Sequence, residues 1–187
     1  MNLNKFRLAA LVLFAAMITT NVNAQSIKYP KMHFGIRLGG TFNTATVNGE
    51  KITGVTGANS PTGGFALDFR IASIPLYMET GIYCVNRTLC IKDGYDKEDI
   101  TGQVPLLLSY HYYISDKVAI QPFAGGYASY GHNFVPGARF GVGINYGRLY
   151  ANVGYDIDLA ERDVDHGKYY KSPGIFTTIG FNFGGSR

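Results

Sequence analysis

Two sets of side chains in this sequence have the types and spacing to do chemistry. One comprises Arg37, Asp68, Arg70 and Glu79; the other is the run Glu161-Arg162-Asp163-Val164-Asp165-His166. Two guanidinium groups and two carboxylates gathered away from water must pair, because a buried charge without a partner costs several kcal/mol. Such a set would pack an interior with ion pairs or line a narrow path for ions or protons. In the acidic run, a carboxylate beside an imidazole could activate a water for hydrolysis. Together with Asp93, Asp96, Glu98 and Asp99 it could hold a divalent cation through oxygen ligands. Acid–base catalysis needs partners at fixed positions, however, and a charged run of this kind is most simply a solvated loop. His33 and His111 could act as bases toward a lipid only with a serine and an acid at matched spacing. They lack both in the sequence and are read as hydrogen-bonding side chains. Cys84 and Cys90 stand six residues apart, about 20 Å along an extended strand at ~3.3 Å per residue. That is beyond disulfide reach, and both are read as unpaired thiols. No metal-ligand spacing is present. Gly141-Val142-Gly143-Ile144-Asn145-Tyr146-Gly147 lacks the spacing and context of a dinucleotide-binding loop. No catalytic residue, cofactor or metal is expected.

The elements that must position these groups are strands. Arg139 to Tyr146, Leu149 to Ile157 and Ile175 to Phe183 alternate between large apolar residues and residues that are mostly glycine or polar. Successive side chains of a strand point to opposite faces, so each segment has one greasy face and one small or polar face. Eight such segments are read, near 32–43, 63–72, 75–91, 100–113, 117–131, 138–147, 148–159 and 174–184. In the first, Phe34, Ile36, Leu38 and Phe42 oppose His33, Gly35, Arg37, Gly39 and Thr41. In the second, Phe65, Leu67, Phe69 and Ile71 oppose Ala66, Asp68 and Arg70. In the third, Leu76, Met78, Ile82 and Cys84 oppose Tyr77, Glu79, Gly81, Tyr83 and Arg87. The fourth sets Val104, Leu106, Leu108, Tyr110 and Tyr112 against Gln103, Pro105, Leu107, Ser109 and His111. Every charge in these four segments lies opposite the greasy band.

Connections between the segments take turns, long then short, as in an up-and-down barrel with tight turns at one end and loops at the other. A β-sandwich would carry a densely charged exterior, yet only 16% of residues are charged. A soluble ligand-carrying barrel would have an apolar interior, the reverse of this pattern. The expected fold is all-β, an eight-stranded antiparallel up-and-down transmembrane β-barrel. Its large residues face lipid, and its glycines and charges face a lumen that an eight-stranded barrel fills with side chains. Arg37, Asp68, Arg70 and Glu79 then form a structural lumen charge cluster that blocks conduction.

Residues 1–24 are read separately. Lys5 and Arg7 open a basic start, Leu8 to Ile18 is apolar and uncharged, and Val22-Asn23-Ala24 offers compact residues before Gln25. This three-part design is that of a secretory signal peptide; the apolar run is too short for the ~20 residues of a spanning helix. The expected mature domain is 25–187, with a formal charge falling from +4 to +2 once Lys5 and Arg7 are removed. Without a basic cluster there is no argument for nucleic acid. Twenty-four glycines, abundant Tyr and Phe with no Trp and a mean hydropathy near zero suit a small barrel.

Pro75-Leu76-Tyr77-Met78-Glu79-Thr80-Gly81-Ile82-Tyr83, followed by Gln103-Val104-Pro105-Leu106-Leu107-Leu108-Ser109-Tyr110, resembles the outer-membrane β-barrel family common in Bacteroidetes. Its relatives are the PorT-like proteins and, more distantly, barrels of the OmpX and OmpA type. This chain departs from the family at Gln103, where an acid is usual, at Ser109, where lysine is common, and in ending on Gly184-Gly185-Ser186-Arg187 after Phe183. The resemblance covers essentially the whole mature chain and implies fold and compartment, with no activity attached. The resulting expectation is a monomeric, non-enzymatic barrel of the cell outer membrane with a structural, adhesive or export-accessory role. Its expected partners are outer-membrane lipid and lipopolysaccharide, the barrel-assembly machinery and an extracellular or envelope protein. The alternatives are a surface barrel enzyme hydrolysing lipid or peptide, and a narrow channel or ligand-binding barrel.

Overall fold

The computed structural model describes residues 31–44, 46–47, 50–51, 55–57, 59–71, 73–87, 89–91, 100–163 and 169–183. The signal segment read in 1–24, and Asp93, Asp96, Glu98, Asp99, Asp165 and His166, lie outside them. Eight long strands form the fold: β1 (Met32–Asn43), β2 (Asn59–Arg70), β3 (Leu76–Asn86), β4 (Ile100–Tyr110), β5 (Val118–Tyr130), β6 (Phe134–Tyr146), β7 (Leu149–Asp158) and β8 (Gly174–Phe183). Each pairs antiparallel with its neighbour in sequence. The last pairs with the first, from Phe34 opposite Phe183 to Asn43 opposite Gly174. The sheet is therefore a closed eight-stranded antiparallel up-and-down barrel. Closure leaves no edge strand with unpaired backbone groups.

Several boundaries differ from the pattern-based expectation. β3 does not run to Ile91. It ends at Asn86, and Leu89–Ile91 pairs instead with Val55–Gly57 above the barrel. Arg87 follows the strand and continues its inward parity, buried completely. β2 begins at Asn59 rather than Gly63, because Ser60 and Thr62 continue the inward parity. β4 breaks at His111 before the short piece Tyr112–Tyr113. The stretch 134–137 belongs to β6, although Pro136-Gly137 reads as a turn. Val135 and Gly137 point inward and pair across to Ser129 and Tyr127, so the loop between β5 and β6 is only 131–133. Cys84 is a free, exposed thiol on the outer face of β3; the side chain of Cys90 is outside the described set.

The two faces follow the alternation. Leu38, Phe65, Ile82, Leu106, Ile120, Phe140, Val153 and Ile179, one from each strand in turn, are large, apolar and exposed on the outer wall. A soluble monomer rarely shows an apolar patch above roughly 300–600 Å², and this one encircles the molecule. Thr80 is a polar outward residue in this band. It donates to the Pro105 carbonyl at 2.9 Å, which satisfies its hydroxyl without water.

Gly147 and Gly39 show two ways in which the backbone requires glycine. Gly147 opens the two-residue turn from β6 to β7 with φ of 62°, the left-handed region that such hairpins need. At Gly39, a Cβ would lie 1.9 Å from the Thr177 carbonyl oxygen and 2.7 Å from Thr178 Cα. Strands coil so tightly there that only backbone would have to move. Gly39→Ala is expected to lower stability by about 1–3 kcal/mol, the usual cost of overpacking. The outward neighbour Gly40→Ala, whose Cβ would meet only the Ser60 carbonyl at 3.3 Å, should cost less. Urea midpoints of heat-modifiable gel migration measure both, and equal midpoints would contradict the close approach at Gly39.

Candidate functional site

The interior is filled in three layers, and the inward parity of each strand decides which residues enter them. Four arginines (Arg37, Arg87, Arg139, Arg162) and four acids (Asp68, Glu79, Asp156, Asp158) are buried among the described residues.

At the long-loop end, two aspartates two residues apart on β7 collect the cations. Arg139 of β6 clamps Asp156 with two bonds, Nε to Oδ1 at 2.7 Å and Nη2 to Oδ2 at 2.8 Å. The same Nη2 donates to Gln103 Oε1 of β4 at 2.6 Å. Arg87, just past β3, donates to Asp156 Oδ2 at 3.3 Å, to the Ser172 carbonyl at 3.0 Å and to Asn43 Oδ1 of β1 at 3.4 Å. Asp158 accepts from Arg162 Nε and Nη2, each at 2.8 Å, from the Tyr127 hydroxyl at 2.7 Å and from the Ser172 amide at 2.8 Å. Arg162 also reaches Ser129 Oγ at 3.2 Å. Bidentate charge-assisted bonds of this kind are the strong ones. The network ties β1, β3, β4, β5, β6 and the 159–173 connection to β7 and closes the mouth from inside.

Below it lies an apolar layer. Leu107, Phe123 and Phe176 pack together as one buried cluster, and the Arg139 guanidinium lies 4.1 Å over the Phe176 ring. The cavity here, lined by Glu79, Thr41, Tyr83, Asn152 and others, measures about 10 Å³, the room of about one water.

The third layer fills the short-turn end. Arg37 stacks on Tyr150 at 4.0 Å. Asp68 and Glu79 stand opposite each other on β2 and β3. His33 Nδ1 is 4.0 Å from Asp68 Oδ2. His111 stacks on Tyr77 with ring centroids 3.8 Å apart. Its Nε2 is 3.2 Å from Ser109 Oγ, and its Nδ1 is 3.3 Å from the Gln121 amide nitrogen. Both ring nitrogens are thus engaged inside the lumen, by Ser109 and Gln121. The imidazole meets no carboxylate at Nδ1, and the pair is buried in the lumen rather than at the lipid rim.

The four charges expected to cluster are distributed as follows. Arg37, Asp68 and Glu79 are buried on the inner face, whereas Arg70 is half-exposed at the short-turn end of β2. No ion pair within 4.0 Å joins the four to one another among the described residues; the pairs that form are those of Asp156 and Asp158 with Arg87, Arg139 and Arg162, and of His33 with Asp68. Asp156 and Asp158 were readable from their shared parity with Gly154 in an alternating segment. Arg162 was not, because it sits inside an acidic run and only the fold turns it inward. Asp163 keeps to the loop, its amide donating to Asn133 Oδ1 at 3.1 Å, while Asn133 Nδ2 donates to the Glu161 carbonyl at 2.9 Å.

No family profile and no curated protein matches the chain. Among solved structures it is similar to the outer membrane protein OprG from Pseudomonas aeruginosa, with a TM-score of 0.49 and 14% identity over 83% of this chain and 97% of that one. It is similar to the outer membrane protein AlkL, determined in DMPC lipid bilayers, with a TM-score of 0.43 and 13% identity over 88% and 96%. The translocator domain of autotransporter NalP from Neisseria meningitidis gives a TM-score of 0.29 and 10% identity over 96% and 98%. The barrel is defined by the chain's own strand pairing.

Proposed function

We propose that this chain is a small, monomeric, non-enzymatic outer-membrane β-barrel of the PorT-like kind. In this reading the segment 1–24 directs export, the barrel-assembly machinery inserts the domain, and the short turns face the periplasm. The wall then sits in lipid and lipopolysaccharide and presents its longer connections outside, in a structural, adhesive or export-accessory role toward an extracellular or envelope protein. The outer wall supports the membrane part. The twelve steps of β6 from Phe134 to Tyr146 rise about 30 Å, at ~3.3 Å each and a tilt near 40°. Exposed aromatics mark both ends, Tyr130 and Phe134 at one and Phe34, Tyr146 and Phe183 at the other. An apolar band roughly 25 Å tall between aromatic girdles is the signature of such barrels.

The observation that carries the non-conducting role is the closed lumen, in which Asp156 and Asp158 hold three arginines across the mouth and Leu107, Phe123 and Phe176 fill the layer beneath. A filled lumen favours a membrane-anchored platform over a conduit. Reconstituted in a planar bilayer, the protein is expected to give no single-channel steps. Robust, reproducible steps from the pure protein would sink the reading and restore the narrow channel.

A further inference from the structure

The outer wall is not uniformly convex. An apolar groove of about 580 Å³ runs between β1, β6, β7 and β8 in their short-turn half, walled by Ile36, Ile144, Leu149, Ile179 and Phe181. Its floor is Ala151, which stands opposite Ile144 on one side and Ile179 on the other. A small residue there leaves the space its large neighbours would otherwise fill. Farther up the same wall, a second apolar groove of about 510 Å³ continues the line past Val142 and Val153 to Phe140 and Tyr155.

The lower groove opens at a cationic rim. Arg148 occupies the turn between the groove residues Tyr146 and Leu149, is exposed, and accepts on its carbonyl the amide of Asn182 at 2.8 Å. Lys117, in the adjacent turn and also exposed, accepts on its carbonyl the amide of Gly147 at 2.7 Å. The two turns are thus tied side by side next to the groove residues Tyr146 and Leu149, and they carry two cations, Arg148 and Lys117, against one acid, Asp116. A long apolar slot in a lipid-facing wall that ends at two cations matches one amphiphile, an acyl chain beneath a phosphate.

We propose that the groove over Ala151, with Arg148 and Lys117 at its rim, binds one phospholipid of the periplasmic leaflet, its acyl chain along the wall and its phosphate on the two cations. This rests on the reading that the barrel spans the outer membrane with its short turns inward. Lipopolysaccharide is excluded on geometry, because the rim lies at the end opposite the long loops.

Native mass spectrometry of the full barrel released from detergent, with phosphatidylglycerol titrated in, tests the site. The wild type is expected to carry one phospholipid at low lipid ratio. Ala151→Phe, which fills the floor, should lose it. Arg148→Ala with Lys117→Ala should weaken it about twenty-fivefold, each rim cation contributing roughly fivefold. Ile82→Phe on the opposite wall should leave it unchanged. An adduct that survives both Ala151→Phe and the double rim variant, or that Ile82→Phe removes equally, overturns the site. The rim variant alters only exposed turn residues, so it decides the matter even if Ala151→Phe does not fold. Heat-modifiable migration and outer-membrane fractionation are read in parallel. An inserted barrel without an adduct sinks the lipid site alone, whereas a wild-type chain that never reaches the membrane sinks the reading beneath it.

Discussion

Asp156→Ala is expected to destabilise the barrel by about 3–5 kcal/mol, the cost of leaving buried charge uncompensated. Asp156 is the common acceptor for Arg139 and Arg87, with Arg139 Nε at 2.7 Å and Arg87 Nη2 at 3.3 Å. Both guanidinium groups are buried and neither can shed its proton. Removing the carboxylate strands two charges at once, and Asp158 is already saturated by Arg162, Tyr127 and the Ser172 amide. Asp156→Asn, which keeps one acceptor oxygen and the shape, should fall between wild type and alanine. Urea titration of the heat-modifiable band in detergent measures all three. Wild-type stability in the alanine variant would mean that the mouth network does not hold the barrel together. The same variant frees Arg87 from one of its three acceptors, so the seal loosens where the chain leaves β3. Bilayer recordings of Asp156→Ala are expected to show openings that the wild type lacks.

Leu106→Arg is expected to cost about 2–4 kcal/mol in a bilayer, the penalty for arginine near the midplane of a lipid-facing barrel wall. Leu106 is 57% exposed at the centre of β4, with its side chain on the outer face. On a water-exposed surface the same change would be worth within about ±0.5 kcal/mol. The sign of the experiment therefore identifies the solvent. Its neighbour Leu107 points the other way, into the Phe123–Phe176 cluster. Leu107→Ala should cost about 2–5 kcal/mol through the cavity it leaves, in lipid or in water alike. Folding titrations of the two variants into vesicles separate the faces. A Leu106→Arg protein that inserts as well as wild type would remove the lipid from the picture.

Which groups become neighbours was less legible than which face they occupy. Parity assigned Arg37, Asp68 and Glu79 to the inner face, and all three are buried; one residue of shift would have sent a charge into the greasy band. It could not say which strands bring their charges to the same height around the barrel. That depends on register, and register is set by pairings such as Arg139 opposite Asp156 and Asp68 opposite Glu79. The first pairing juxtaposes opposite charges and becomes a clamp; the second places two acids side by side. Local turn chemistry misled at Pro136-Gly137, where pairing with Tyr127 and Ala128 overrode the turn propensity.

By itself the sequence determined the alternation, and through it the strand count and the handing of most large apolar residues to the outer face. These follow from a period of two that any extended chain obeys. Tertiary structure alone decided that the barrel closes, that Arg87, Arg139 and Arg162 meet on Asp156 and Asp158, and that Arg162 folds inward from an acidic run. Closure and register are long-range properties: they join Phe34 to Phe183 and Arg87 to Ser172, residues that no local pattern relates.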